Sequence, residues 1–272
     1  MRARTAILLA AGLVAIPAVQ AAPAPEWTAL FNGRDLSNFD IAYSSKPVDG
    51  RPAAAMFEVR AGMVHTYPGQ QAGTPQPSAY FQTRRAYGDY VLHLQYRWGD
   101  RKFAPRMDRL KDAGIVFHIH EDAPFSWPHG IECQIEDSDV GDLWLISARA
   151  DATVRPNRHQ HEPDPLQDNA AYYAPGGVKT TLGGQGEYVR LRHAADFEHP
   201  GWNSVDVVVR GDSAVYLVNG RVNMRITGMR KWDAASGNWE RLDRGKILFQ
   251  AEFAEVYYRD IRIRPVMESD PR

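Results

Sequence analysis

The chain has 272 residues, is 44% hydrophobic and 11% aromatic, and carries a formal net charge of −1. That is enough apolar material for one large core, and near-zero charge gives no electrostatic ground for binding nucleic acid. The single cysteine, Cys133, excludes an internal disulfide, so stability must come from packing.

Residues 1–22 carry the pattern of a cleaved secretory leader. Arg2 and Arg4 form a charged start, Ala6–Ile16 is a short apolar run, and small residues end it near Ala21 and Ala22. An exported, periplasmic or secreted product is expected, with one domain over 23–272. No later stretch approaches the ~20 apolar residues that cross a bilayer, so no membrane span is expected.

Residues 27–42 offer a short strand, a turn at Asn32-Gly33 and a packed segment through Phe39. Alternation on both sides of Ala61-Gly62 predicts a hairpin over Met56–Thr66. A Pro- and Gly-rich loop follows at 67–78, then a short strand at Ala79–Thr83. Tyr90–Trp98 alternates most clearly: Tyr90, Leu92, Leu94, Tyr96 and Trp98 share one face, opposed by Val91, His93, Gln95 and Arg97. Residues 99–111 are a charged loop.

The central stretch, 112–146, holds two more alternating segments. Ile115, Phe117 and Ile119 oppose Val116, His118 and His120; Ile131, Cys133 and Ile135 oppose Glu132, Gln134 and Glu136. Ser126–Gly130 links the two. Cys133 lies on the apolar side, where it acts as a small hydrophobe. Residues 147–186 look irregular, with His159 and His161 in a polar loop, and 187–193 forms a strand. A hairpin turns at Asn219-Gly220, 228–244 is a loop, and 245–265 gives two strands around Ala254-Glu255. About a dozen short strands and no sustained helical period predict an all-β, antiparallel two-sheet sandwich or jelly roll.

Four of these strands carry imidazole, carboxylate, amide or guanidinium groups on their polar faces. They are His93, Gln95 and Arg97; His118 and His120; Glu132, Gln134 and Glu136; Gln250 and Glu252. As neighbours they would line one cleft suited to proton transfer and to sugar hydroxyls, with Trp127 and Trp144 either stacking on a sugar ring or packing in the core. His118 and His120, two apart on a strand, are placed to share one divalent metal ion with Glu132 as third ligand, or else to hydrogen-bond substrate and neighbouring carboxylates. No GxSxG elbow, P-loop or Rossmann fingerprint occurs, so neither serine nucleophile chemistry nor a nucleotide cofactor has support.

LFNGRDLSNF, YVLHLQYRW, WPHGIECQIEDSDVGDLWLI, VNGRVN and GKILFQAEFAEVYYRDIRIRP occur in that order from about Trp27 to Pro265. Together they resemble the 3-keto-disaccharide hydrolase domain family. The resemblance implies a concanavalin-like jelly roll and cleavage of glycosides oxidised to a ketone at C3. It maps Glu132 and Gln134 onto the family's E-x-Q strand, His118 onto a polar position of the preceding strand, and Gln250 with Glu252 onto the closing strand. Gln95 and Ala113 depart from the family's commoner Glu and Ser, which bears on substrate choice or activity. The chemistry so implied uses Glu132 or His118 as base, with Arg97, His120 or a metal ion stabilising an enolate. Two other readings compete: a non-catalytic sugar-binding jelly roll, and an ordinary glycosidase using Glu132 and Glu252.

Overall fold

The structure is a computed structural model that describes residues 25–155 and 171–272. The leader at 1–22 and the histidines His159 and His161 lie outside the described residues. In chain order the strands are β1 (Thr28–Ala29), β2 (Phe39–Tyr43), β3 (Phe57–Arg60), β4 (Met63–Thr66), β5 (Ala79–Thr83), β6 (Tyr90–Lys102) and β7 (Asp112–Glu121). Then come β8 (His129–Glu136), β9 (Leu143–Ile146), β10 (Ala148–Val154), β11 (Ala171–Tyr172), β12 (Val178–Leu182) and β13 (Tyr188–Arg192). The last are β14 (Asn203–Arg210), β15 (Ser213–Val218), β16 (Arg221–Asp233), β17 (Asn238–Arg241), β18 (Lys246–Ala251) and β19 (Ala254–Pro265). One 3-10 turn, Ala53–Met56, is the helical element among the described residues, and no helix there is long and apolar enough to cross a membrane.

Two sheets stack. The larger runs β12-β10-β16-β15-β14-β6-β19-β4-β3, with β1 on β19 and β17 on β16. The smaller runs β11-β13-β9-β8-β7-β18-β5-β2 and is antiparallel except for β11 against β13. This is the expected two-sheet jelly roll. The alternating faces read from the sequence meet between the sheets: Leu92, Leu94 and Tyr96 of β6 face Ile115, Phe117, Cys133 and Ile135 of β7 and β8, all fully buried. Burial pushes the Cys133 thiol up, as expected of an inert core residue.

Two stretches read as loops contain strands. In β10 the inward residues are Ala148, Ala150 and Ala152, small side chains whose weak β-preference hides the alternation. β16 runs on to Asp233 and turns back into β17, where Trp232 and Trp239 pair across the strands with ring centroids 5.6 Å apart.

The fold also breaks one parity that the sequence suggests. β7 pairs with β18 through Val116↔Leu248 and then Ile119↔Lys246, so β7 carries one residue more than its partner there. His118 sits in this bulge with φ of 51°. Gly245 lies against it; a Cβ at Gly245 would meet the His118 backbone. Beyond the bulge the faces exchange, and Ile119 joins Val116 and Leu248 on the outer side of the smaller sheet.

Candidate active site

The outer face of the smaller sheet carries the densest polar cluster. Glu132 of β8 is paired with Val116 of β7 and with Trp144 of β9, and Trp144 in turn with Arg190 of β13. Side chains directly opposite one another in such ladders share a face. Gln250 of β18 donates through Nε2 to Glu132 Oε1 at 2.8 Å. Gly114 makes this contact possible, because a Cβ there would collide with Glu132 Oε1. Gln134 donates to Asp112 Oδ1 at 2.9 Å. Arg106, from the charged loop, bridges Asp112 and Glu252, the latter at 2.7 Å. Trp127 packs near Tyr80, with ring centroids 6.2 Å apart.

At the other end Arg190, only 3% exposed, gathers three carboxylates. Its Nε donates to Asp142 at 2.8 Å, and one terminal nitrogen reaches Glu136 at 2.5 Å and Asp139 at 3.0 Å. His193 donates its backbone N–H to Asp142 Oδ1 at 2.6 Å, and its ring Nδ1 lies 2.5 Å from the same oxygen.

Crowding sets the protonation states. Burial, and then the neighbouring Glu252 charge, push Glu132 up to about 8. Burial also raises Asp112, Glu136 and Glu252, partly opposed by Arg190 at Glu136 and by Arg106 at Glu252. Burial alone would raise Asp142 too, but the His193 hydrogen bond and the Arg190 charge hold it below the usual carboxylate range. The site thus sets Glu132, raised to about 8, beside Asp142, which is held below the ordinary carboxylate range. That is the combination a general acid–base reaction needs.

Seven of the residues singled out in the sequence come together here: Glu132, Gln134, Glu136, Gln250, Glu252, Trp127 and Trp144. His118, His120, His93, Gln95 and Arg97 do not. The bulge turns His118 inward, where it is fully buried beside Phe117 and Tyr90 and its Nδ1 donates to the Leu242 carbonyl at 3.3 Å. His120 lies beside His129, with ring centroids 6.0 Å apart. Burial lowers both imidazoles to about 4. The expected metal set of His118, His120 and Glu132 is therefore not assembled, because the extra residue in β7 cancels the shared parity. Arg97 stands on the outer face of the larger sheet, over Trp202 and Tyr257. Neither departure from the family pattern touches this cluster: Ala113 points into the core, and Gln95 accepts from Arg259 on the far face.

The residues missed were legible only in part. Asp112 shares parity with Gly114 and Val116 and belongs to the same alternation. Arg190 alternates correctly in YVRLR, but one Arg in a short strand carries no signal of its own. Arg106 falls in the charged 99–111 loop, and Asp139–Asp142 falls just after the alternating 131–136 segment with no pattern of its own. Asp139, Asp142 and His193 bring one ligand atom each within 4.8 Å of one another, a possible metal-binding triad. Arg190 already supplies the positive charge there, so an ion would compete with its guanidinium.

The model of one family, described as a 3-keto-alpha-glucoside-1,2-lyase-like domain, matches residues 26–264. No curated protein matches the chain. Among solved structures, one described as a "putative glycosyl hydrolase" from Parabacteroides distasonis ATCC 8503 is 16% identical and aligns over 89% of this chain and 94% of its own, with a TM-score of 0.50. A second of the same description and organism is also 16% identical, over 89% and 100%, at 0.49. A Bacillus licheniformis beta-glucanase is 9% identical over 91% and 100%, at 0.43. At such identities the first of these likenesses speaks to the fold alone.

Proposed function

The chain belongs to the 3-keto-alpha-glucoside-1,2-lyase-like domain family, and from that membership we propose that it cleaves glycosides whose sugar carries a ketone at C3. The observation that carries the reading is Glu132: a buried carboxyl raised to about 8, held by Gln250 and flanked by Trp127, Trp144 and two guanidinium-anchored acid clusters.

A ketone at C3 acidifies the proton on C2. Glu132, once ionised, takes that proton, and the electrons of the C2–H bond become the enolate of the C3 carbonyl. Arg106 is partly exposed, bridges Asp112 and Glu252, and offers N–H donors to the enolate oxygen. The enolate collapses, forming a C1=C2 double bond and breaking the bond from C1 to the glycosidic oxygen. The departing oxygen takes the proton that Glu132 removed from C2, which leaves Glu132 ionised again. Water can then add at C1 while C2 regains a proton, so the net change is hydrolysis. An ordinary glycosidase instead forms an oxocarbenium-like state and needs no ketone.

A side-by-side assay of one glycoside in its plain and 3-keto forms, with and without chelator, tests this. Release of the leaving group from the 3-keto form alone is expected. Equal rates on both forms would refute the ketone-dependent route, and binding without turnover of either would favour a sugar-binding module. The chelator arm reads out an ion at Asp139, Asp142 and His193.

The proposal includes export. The leader pattern at 1–22 implies a mature N-terminus at Ala22 or Pro23, measurable by mass spectrometry of the periplasmic or secreted protein. An intact Met1 in exported material would overturn it.

A further inference from the structure

The outer face of the larger sheet, on the opposite side of the molecule from the carboxylate cluster, carries a row of planar groups that the proposed reaction does not use. The pairings Tyr257↔Arg97 and Arg259↔Gln95 set these side chains side by side on β19 and β6. His65 and Tyr257 stack with centroids 4.4 Å apart and planes 4° apart. The Arg97 guanidinium carbon lies 4.6 Å from the Tyr257 ring centre and 5.3 Å from that of Trp202. Arg259 covers Trp202 at 3.8 Å. Each guanidinium thus lies within cation–π distance of an aromatic ring.

Charge pairing separates these two arginines from their neighbours. Arg101 is paired with Glu255, Arg262 with Asp260, Arg264 with Asp270, and His93 with Asp206. Arg97 and Arg259 have no carboxylate within ion-pair distance among the described residues. Arg259 spends its Nε on Gln95 at 2.7 Å, and Arg97 Nε is buried without an acceptor. Both side chains are half-buried, so their remaining N–H groups face partly screened space, where charge-assisted bonds are strong.

We propose that Arg97 and Arg259, braced by Tyr257 and Trp202, form a second binding site on this face for saccharides bearing carboxylate or sulfate groups. Two neighbouring guanidinium forks without a carboxylate partner suit such oxyanions, which they can bind bidentately. Nearby on the same sheet, Glu58 lies 3.7 Å from His65, and Asp206 and Asp260 lie 2.7 Å and 3.5 Å from His93, and the whole chain carries a net charge of −1. The patch therefore holds one or two anionic groups and gives no track for a continuous phosphate backbone. Because the site lies across the sandwich from Glu132, it would hold an acidic polysaccharide while the cleft works on a separate glycoside.

The test is gel-retardation and titration of the mature chain against polygalacturonate, dextran sulfate, neutral dextran and duplex DNA. Retention by at least one acidic polysaccharide, weakened by added salt, and none by neutral dextran is expected; the carboxylate and sulfate arms distinguish which group is bound. Arg97→Ala and Arg259→Ala should each weaken that binding by about tenfold or more, while Glu132→Gln binds as the parent does. Both arginine variants should keep the parent's melting transition; if Ala at 97 abolishes it, Arg97→Gln takes its place. No retention by either acidic polymer, parent-like binding by the arginine variants, or equally tight binding of DNA would each overturn the assignment. None of these outcomes depends on whether the cleft turns over a 3-keto-glycoside.

Discussion

Glu132→Gln should lower turnover of a 3-keto-glycoside by at least about a hundredfold, the lower end for loss of a general base. Gln keeps the shape and still accepts from Gln250 Nε2, so the loss would be of the proton acceptor rather than of the fold. With its pKa near 8, only about a tenth of Glu132 is ionised at pH 7. The parent's kcat/KM should therefore rise with pH toward 8, and that limb should vanish in the variant. His118→Ala is the contrasting case: a buried core imidazole away from the cleft, whose removal should lower Tm while leaving KM unchanged. Retention of parent-like turnover by Glu132→Gln would remove Glu132 from the mechanism.

The same substitution has a stability signature of known sign. Folding raises Glu132 from its ordinary 4.5 to about 8. The folded protein keeps a proton that the unfolded chain releases above pH 4.5. The contribution is complete below 4.5 and is lost as pH rises through 8. The loss is on the order of 4 kcal/mol. Glu132→Gln should thus melt higher than the parent at pH 8, with the gap closing toward pH 5. A group retained at a site despite such a cost fits the trade of stability for activity seen at catalytic centres.

Arg190→Ala should be among the most destabilising single changes in the chain. It strips the counter-charge from Asp142, which is fully buried, and from Glu136 and Asp139. Removing one partner of a buried ion cluster costs about 3–5 kcal/mol, or roughly 10 °C in Tm for a domain of this size. The deficit should grow with pH. Without the guanidinium, buried Asp142 would rise above its ordinary pKa, and the folded state would then lose stability as pH climbs through the new value. Arg190→Lys should recover part of the loss, since one ammonium cannot span three carboxylates as the fork does. Thermal melts at pH 5 and pH 8 measure this; a change of only a degree or two at both would show that the cluster does not depend on Arg190.

How much of this was legible beforehand follows from where the signals reside. The period-two alternation of 90–98, 114–117 and 131–136 sufficed for the sheets and their buried faces, because each side chain's face follows from its neighbour's in an unbroken strand. The same reasoning, with the motif order, marked Glu132, Gln134, Gln250 and Glu252. It failed at His118 and His120, where parity is broken by one extra residue whose presence depends on β18 and Gly245, more than a hundred positions away. It failed at Arg97 because a polar face does not say which sheet it belongs to.

Sequence alone therefore determined the fold class, the core and the acid–amide strands, since these rest on local periodicity. Only tertiary structure decided the rest. Arg106 and Arg190 reach the carboxylates from a loop and a distant strand, and the pKa of Glu132 near 8 arises from burial beneath neighbours and from the charge of Glu252 across the sheet. A titrating group responds to every charge and every layer of protein within a few ångströms, whatever its distance along the chain.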